Sequence, residues 1–162
     1  MLKKLRDGPA MRNRILACIA ESPGIHMNDA ANQLDVAWNT LGHHVRRMET
    51  KTQLITRKVA NRTELYPAGM SQVVQALVSV LRDPKCTRVL KEIHEAHPDV
   101  RGVYEMRDKL GMSLKVTLKH VNRLLDDELV VKIGTSRPRY KSNVPRELAS
   151  KYLGTQPHKL PP

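Results

Sequence analysis

Two stretches of the 162-residue chain carry one apolar pattern, and this repeat limits the fold more than any other feature. The first reads RILACIAESPGIHMNDAANQLDVAWNTLGHHVRRME and the second RVLKEIHEAHPDVRGVYEMRDKLGMSLKVTLKHVNRLL. Arg14-Ile15-Leu16 aligns with Arg88-Val89-Leu90, and Ile19 and Glu21 with Ile93 and Glu95. Pro23 and Ile25 align with Pro98 and Val100, Leu34 with Leu110, and Val36 with Met112. His44-Val45 aligns with His120-Val121, and Met48 with Leu124. Self-similarity on this scale indicates one supersecondary unit used twice.

Each copy parses alike. In the first, Ile15, Leu16 and Ile19 share a face of a helix predicted over Met11–Glu21, which Ser22-Pro23-Gly24 breaks. A short helix is predicted over Asn28–Leu34 with Asn28 as its cap, then a turn at Asp35-Val36. Trp38, Leu41, Val45 and Met48 form one face of a third helix over Ala37–Lys51, which puts Trp38 in the core or at a hinge. Strands are expected at Leu54–Val59 and Glu64–Tyr66. The second copy gives helices over Pro84–Ala96, Arg101–Leu110 and Ser113–Asp127, and strands at Leu129–Ile133 and Arg139–Lys141. Three helices and a two-stranded ribbon make a winged helix-turn-helix order. The expected fold is therefore mainly α with small β-wings, as two tandem winged helix-turn-helix domains joined by a helix.

The expected boundaries are 1–68 and 83–144 for the two domains, 69–82 for the linker helix, and 145–162 for a short helix and a disordered tail. The linker SQVVQALVSVLRD aligns Val73, Leu77 and Leu81, and is too apolar to stand in solvent. It should pack on the domains or on its counterpart in a second subunit, so a homodimer through 71–82 is one expectation.

The chain carries 28 Lys plus Arg against 16 Asp plus Glu, a net charge of +12, divided almost equally between the halves. Such a balance points to a polyanion. With no Phe, one Trp and four Tyr, the chain has few rings on which to stack single-stranded bases. Duplex is the better match. No stretch is long and apolar enough for a membrane helix, and MLKKLRDGPAMRNR lacks the apolar core of a signal peptide. A cytoplasmic, nucleoid-associated protein is expected.

The segments NTLGHHVRRME and VTLKHVNRLLDDELV resemble the recognition-helix signature of winged helix-turn-helix transcription regulators. With SPGIH and VAWNT, the chain is similar to archaeal regulators of the arsenic-repressor and multiple-antibiotic-resistance type. The resemblance covers both halves and implies duplex DNA binding. Glu128 stands where that family usually has a glycine before the first wing strand. Thr50-Lys51-Thr52-Gln53 has no glycine either and reads as one residue longer, so altered loop geometry is expected. Val116 occupies the family's Thr position, with Thr117 one place later.

A recognition helix buries one face and offers the other to the major groove. The outward positions of the first copy are Asn39, Thr40, His43, Arg46 and Arg47. Asn pairs bidentately with adenine and Arg with guanine, and either Arg also grips phosphate. The second copy offers Ser113, Lys115, Lys119, Asn122 and Arg123, a set suited more to phosphate than to base edges. The first copy therefore has the greater capacity to read sequence. Wing cations are Arg57, Lys58 and Arg62 in the first copy, and Lys132, Arg137, Arg139 and Lys141 in the second. Taken singly, each is equally a solvated charge. His44 and His120 read as packing or hydrogen-bonding residues.

No cofactor, metal or catalytic activity is expected. Cys18 and Cys86 have no ligand-like spacing to other Cys or His, and His43 and His44 point to different helix faces. Asp126-Asp127-Glu128 reads as an exposed turn. No Gly-rich phosphate loop or nucleophile motif is present. The functions left are a sequence-reading regulator, an architectural protein that coats DNA, and an adaptor that docks proteins.

Overall fold

The computed structural model describes residues 8–154, so the expected disordered tail, beyond Gly154, lies outside the described residues. The chain divides near Ser71 into two units.

The first unit runs α1 (Gly8–Glu21), β1 (Ile25–His26), α2 (Met27–Gln33), α3 (Trp38–Glu49), β2 (Leu54–Val59) and β3 (Arg62–Pro67). Its antiparallel sheet has the order β1-β3-β2. Ile25 pairs with Leu65, and Val59 with Arg62 across the turn residues Ala60 and Asn61. The ribbon is thus longer, and its turn tighter, than the pattern of apolar residues indicates. Ile15, Ile19, Leu34, Leu41, Val45, Met48, Leu54 and Leu65 form the center of one core. The cap of α2 is His26 rather than Asn28, which lies inside the helix.

The second unit runs α4 (Gln72–Leu81), α5 (Pro84–Glu95), β4 (Arg101–Gly102), α6 (Val103–Leu110), α7 (Leu114–Asp126), β5 (Val130–Ile133), β6 (Arg139–Ser142) and α8 (Arg146–Tyr152). Its sheet order is β4-β6-β5, with Arg101 opposite Tyr140. The segment Arg101-Gly102, expected as helix, is a strand. From α5 to β6 the elements follow the order of the first unit, with α4 added before and α8 after. Helix α4 packs on α5 and α8. Residues Gln75 to Leu81 are all buried, leaving Val73 as its one large apolar side chain classed as exposed. The apolar surface from which a homodimer was expected is thus largely covered within this unit.

The turn before α3 and the turn before α7 close through the same bond. In the first, Asp35 adopts a φ of 52° and the Val36 N–H donates to the Ala31 carbonyl at 3.0 Å. In the second, Gly111 has a φ of 62° and Met112 donates to Arg107 at 3.2 Å. The ends of α3 and α7 repeat this arrangement. Thr52 (φ 54°) and Glu128 (φ 56°) are left-handed, and Gln53 and Leu129 donate at 2.9 Å to Met48 and Leu124. The loop after α3 is therefore no longer than its counterpart, and both keep the helix-end geometry that a glycine would serve.

That geometry costs a residue with a Cβ about 1–2 kcal/mol, most acutely a β-branched one. Thr52→Gly should therefore stabilise the chain by about 0.5–1 kcal/mol, once the added freedom of glycine in the unfolded state is subtracted. Urea unfolding should show a higher midpoint; an unchanged or lower one would contradict the strain.

Candidate nucleic-acid interface

Helix α3 buries Leu41, Val45 and Met48. Opposite them Asn39, Thr40, His43, Arg46 and Arg47 are all exposed. The helix that precedes α3 is tied at its end to α1. The Arg14 guanidinium donates to the Leu34 carbonyl at 2.6 Å, at the end of α2. In the second unit Arg88 donates to the Leu110 carbonyl at 2.9 Å. These are matching positions in the repeat, and a cation at a helix C-terminus is favourable.

Lys58 and Arg62 are exposed on the first wing, but Arg57 is not free to contact a ligand. It lies opposite the buried Glu64 in the ladder and hydrogen-bonds Tyr66, whose hydroxyl donates to Glu64 at 2.6 Å. Burial, then the Glu64 bond, raises the Tyr66 phenol above its ordinary value, so Tyr66 is a neutral donor. Arg57 belongs to the support of the wing, contrary to the reading from sequence.

On α7, Lys115, Lys119 and Asn122 are exposed. Ser113 is the helix cap, its hydroxyl accepting from the Val116 N–H at 3.3 Å. Thr117, one place beyond the family's Thr position, is fully buried and donates to the Ser113 carbonyl at 3.1 Å. Arg123, expected outward, turns to α4 instead. It donates to the Ser79 hydroxyl at 2.8 Å and the Ser79 carbonyl at 3.2 Å, and lies 3.5 Å from Asp83. Its long side chain reaches a partner that helical spacing alone does not reveal. Asp127 lies half-buried, 3.9 Å from Arg123, so the acidic run at the helix end is only partly an exposed turn.

On the second wing Arg137 is exposed. Arg139 is exposed too but paired with Glu105. A bond from the Gly102 N–H, aided by Arg139, holds the Glu105 carboxyl below its ordinary value. Lys132 is exposed, and Lys141 is half-buried in a hollow with His94 and Arg146.

His120 is buried, its Nδ1 3.6 Å from Asp83. Asp83 also caps α5, accepting from Lys85 and Cys86 N–H groups at 3.1 and 3.2 Å. His44 is half-buried, and its ring meets that of His43 edge-on at 5.9 Å. Burial pushes the Cys86 thiol up to about 12. Among the described residues no three His, Cys, Asp or Glu side chains gather into a metal-binding group, and no helix is long and apolar enough to cross a membrane.

The aromatic residues were the main omission. Trp38, expected in the core or at a hinge, is 52% exposed and so not in the core, and Tyr104 is 60% exposed. Trp38 is the first residue of α3, so the apolar line it shares with Leu41 extends past the end of the core. Tyr104 follows the buried Val103 at the start of α6, and its position in the helical period is the signal that could have found it.

Residues 9–78 match the family model described as HTH_HVO_0163_N, an N-terminal HTH domain. The match spans the first unit and the opening residues of α4. It supports a helix-turn-helix DNA-binding protein. A comparison with curated proteins gave no match.

Arg123→Ala should cost about 2 kcal/mol in urea unfolding, since it removes charge-assisted bonds and leaves the Ser79 oxygens without that donor. Lys119→Ala should leave stability within about 0.5 kcal/mol of the parent. Equal effects would refute the assignment of Arg123 to the support. Burial, against the opposing pull of Asp83, lowers the His120 imidazole below its ordinary 6.5. The unfolded chain then binds more protons just below that value, so stability should fall as pH drops below 6.5. His120→Gln should flatten this dependence between pH 5 and 7, apart from a smaller share from His44, which burial also lowers. An unchanged slope would remove His120 from it.

Proposed function

We propose that the chain is a transcription regulator that binds duplex DNA through two tandem winged helix-turn-helix domains, of the arsenic-repressor and multiple-antibiotic-resistance type. The observation that carries this is the outer face of α3, where Asn39, Thr40, His43, Arg46 and Arg47 are exposed together on a helix-turn-helix matched by the family model. Asn39 and Arg46 are the base readers, and Arg47, Lys58 and Arg62 grip phosphate. The second unit serves mainly as a phosphate clamp through Lys115, Lys119 and Arg137. Its Arg123 and Arg139 already have partners, which supports this division of labour. Asn122 lies on the same exposed face, and Ser113 and Lys141 stand at its margins, while Thr40 belongs to the outer face of α3. In this reading the protein is a binding protein rather than an enzyme, needs no cofactor, and is cytoplasmic and associated with the nucleoid.

Selection from a random duplex pool at several salt concentrations tests the proposal. A recovered motif is expected, with Asn39→Ala and Arg46→Ala each losing about 1–3 kcal/mol on that motif and less on other sequences. With about 6 phosphates neutralised, log affinity should fall against log salt with a slope near −5. Tight, salt-sensitive binding without a motif would replace the regulator with an architectural protein. No binding at low salt would leave the adaptor.

A further inference from the structure

The chain has one Trp, four Tyr and no Phe. Tyr66, Tyr140 and Tyr152 are buried. The two rings left exposed, Trp38 and Tyr104, stand at the same place in the two units, in the cleft between the second helix, the start of the third helix and the wing. In the first unit Trp38 shares this cleft with His26, Met27, Asn61 and Arg62. In the second, Tyr104 shares it with Leu114, Leu118, Arg137 and Pro138.

The rings do not occupy matching sequence positions. Trp38 corresponds to Leu114 in the repeat, and Tyr104 to Asn28. Each copy thus supplies the cleft with an aromatic ring from a different helix, and in each an exposed wing arginine stands beside it. The Arg107 guanidinium lies 5.3 Å from the center of the Tyr104 ring and helps hold it in place. A buried ring would need no exposed cation beside it. A flat apolar ring next to an arginine suits a ligand with an apolar face and an anionic edge, and one strand of a duplex repeats both as deoxyribose and phosphate.

We propose that Trp38 and Tyr104 are backbone contacts to DNA, each ring lying on deoxyribose where a strand passes between recognition helix and wing, while Arg62 or Arg137 takes the adjoining phosphate. The inference rests on the duplex-binding reading above. Sugar contacts carry no sequence information, and an uncharged ring releases no counterions. Loss of either ring should therefore weaken binding on all sequences alike and leave the salt slope unchanged.

The test uses the whole chain and a labelled random-sequence duplex. Label anisotropy reports binding, and the fluorescence of the one Trp reports Trp38 independently. Acrylamide should quench Trp38 freely in the unbound protein and much less at saturating duplex, with the protection following the anisotropy curve. Trp38→Ala and Tyr104→Ala should each weaken binding about five- to tenfold. Trp38→Phe and Tyr104→Phe should stay within about twofold, which separates loss of a ring from loss of the fold. Unchanged quenching of Trp38 at saturation would overturn the proposal while duplex binding stood, and would point to a protein partner for the clefts. A steeper effect on one sequence, or an altered salt slope, would also overturn it. No anisotropy change at low salt would remove the duplex reading and this inference with it.

Discussion

The bond from Arg14 to the Leu34 carbonyl, matched by that from Arg88 to Leu110, ties α1 to the end of α2 and α5 to the end of α6. A helix ends with carbonyls that have lost their intrahelical donors. Here the chain must also reverse through a left-handed residue to start the next helix. In each unit a guanidinium from one helix meets the negative end of the next and joins the two there.

Several of the cations are already paired within the units. Arg57 supports Tyr66 beside the buried Glu64. The Glu92 carboxylate, also buried, is met by Arg101 at 3.1 Å and Lys109 at 2.7 Å. Arg123 ties α7 to α4. A buried ion is tolerable only when its partners are close and well aimed, and Glu92 is met by two cations. The formal charge of +12 therefore describes solubility and long-range attraction better than it counts the cations that can touch a ligand.

The helices and the wing ribbons were legible because their apolar residues repeat with the helical or the strand period. Strands β1 and β4 were not, since two residues are too short to show any period; pairing with β3 and β6 defines them. The Thr52 and Glu128 helix ends were hidden because the residue types disfavour the backbone that the tertiary structure imposes. The outward set on α3 could be read from angle alone, since Asn39, Thr40, His43, Arg46 and Arg47 all stay exposed where the helix points them. Arg57 and Arg123 could not, because their partners, Tyr66 and Ser79, are fixed by packing. Helix α4 was recognised as needing cover, but α8, which provides part of it, carries too few apolar residues to suggest the pairing.

The match of hydrogen bonds from the start of the second helix to the first wing strand has one more consequence. Met27 to Leu54 and Val103 to Val130 span equal numbers of residues and turn through the same left-handed positions. The differences in length between the units fall before this block or after it, in the ribbon and in α8. The block is therefore a cassette with standard ends: either copy can be grafted into the other's frame without inserting or deleting a residue. Swapping them would exchange the exposed faces of α3 and α7 while Arg14 and Arg88 stayed in place, and would separate Arg123 and His120 from Ser79 and Asp83.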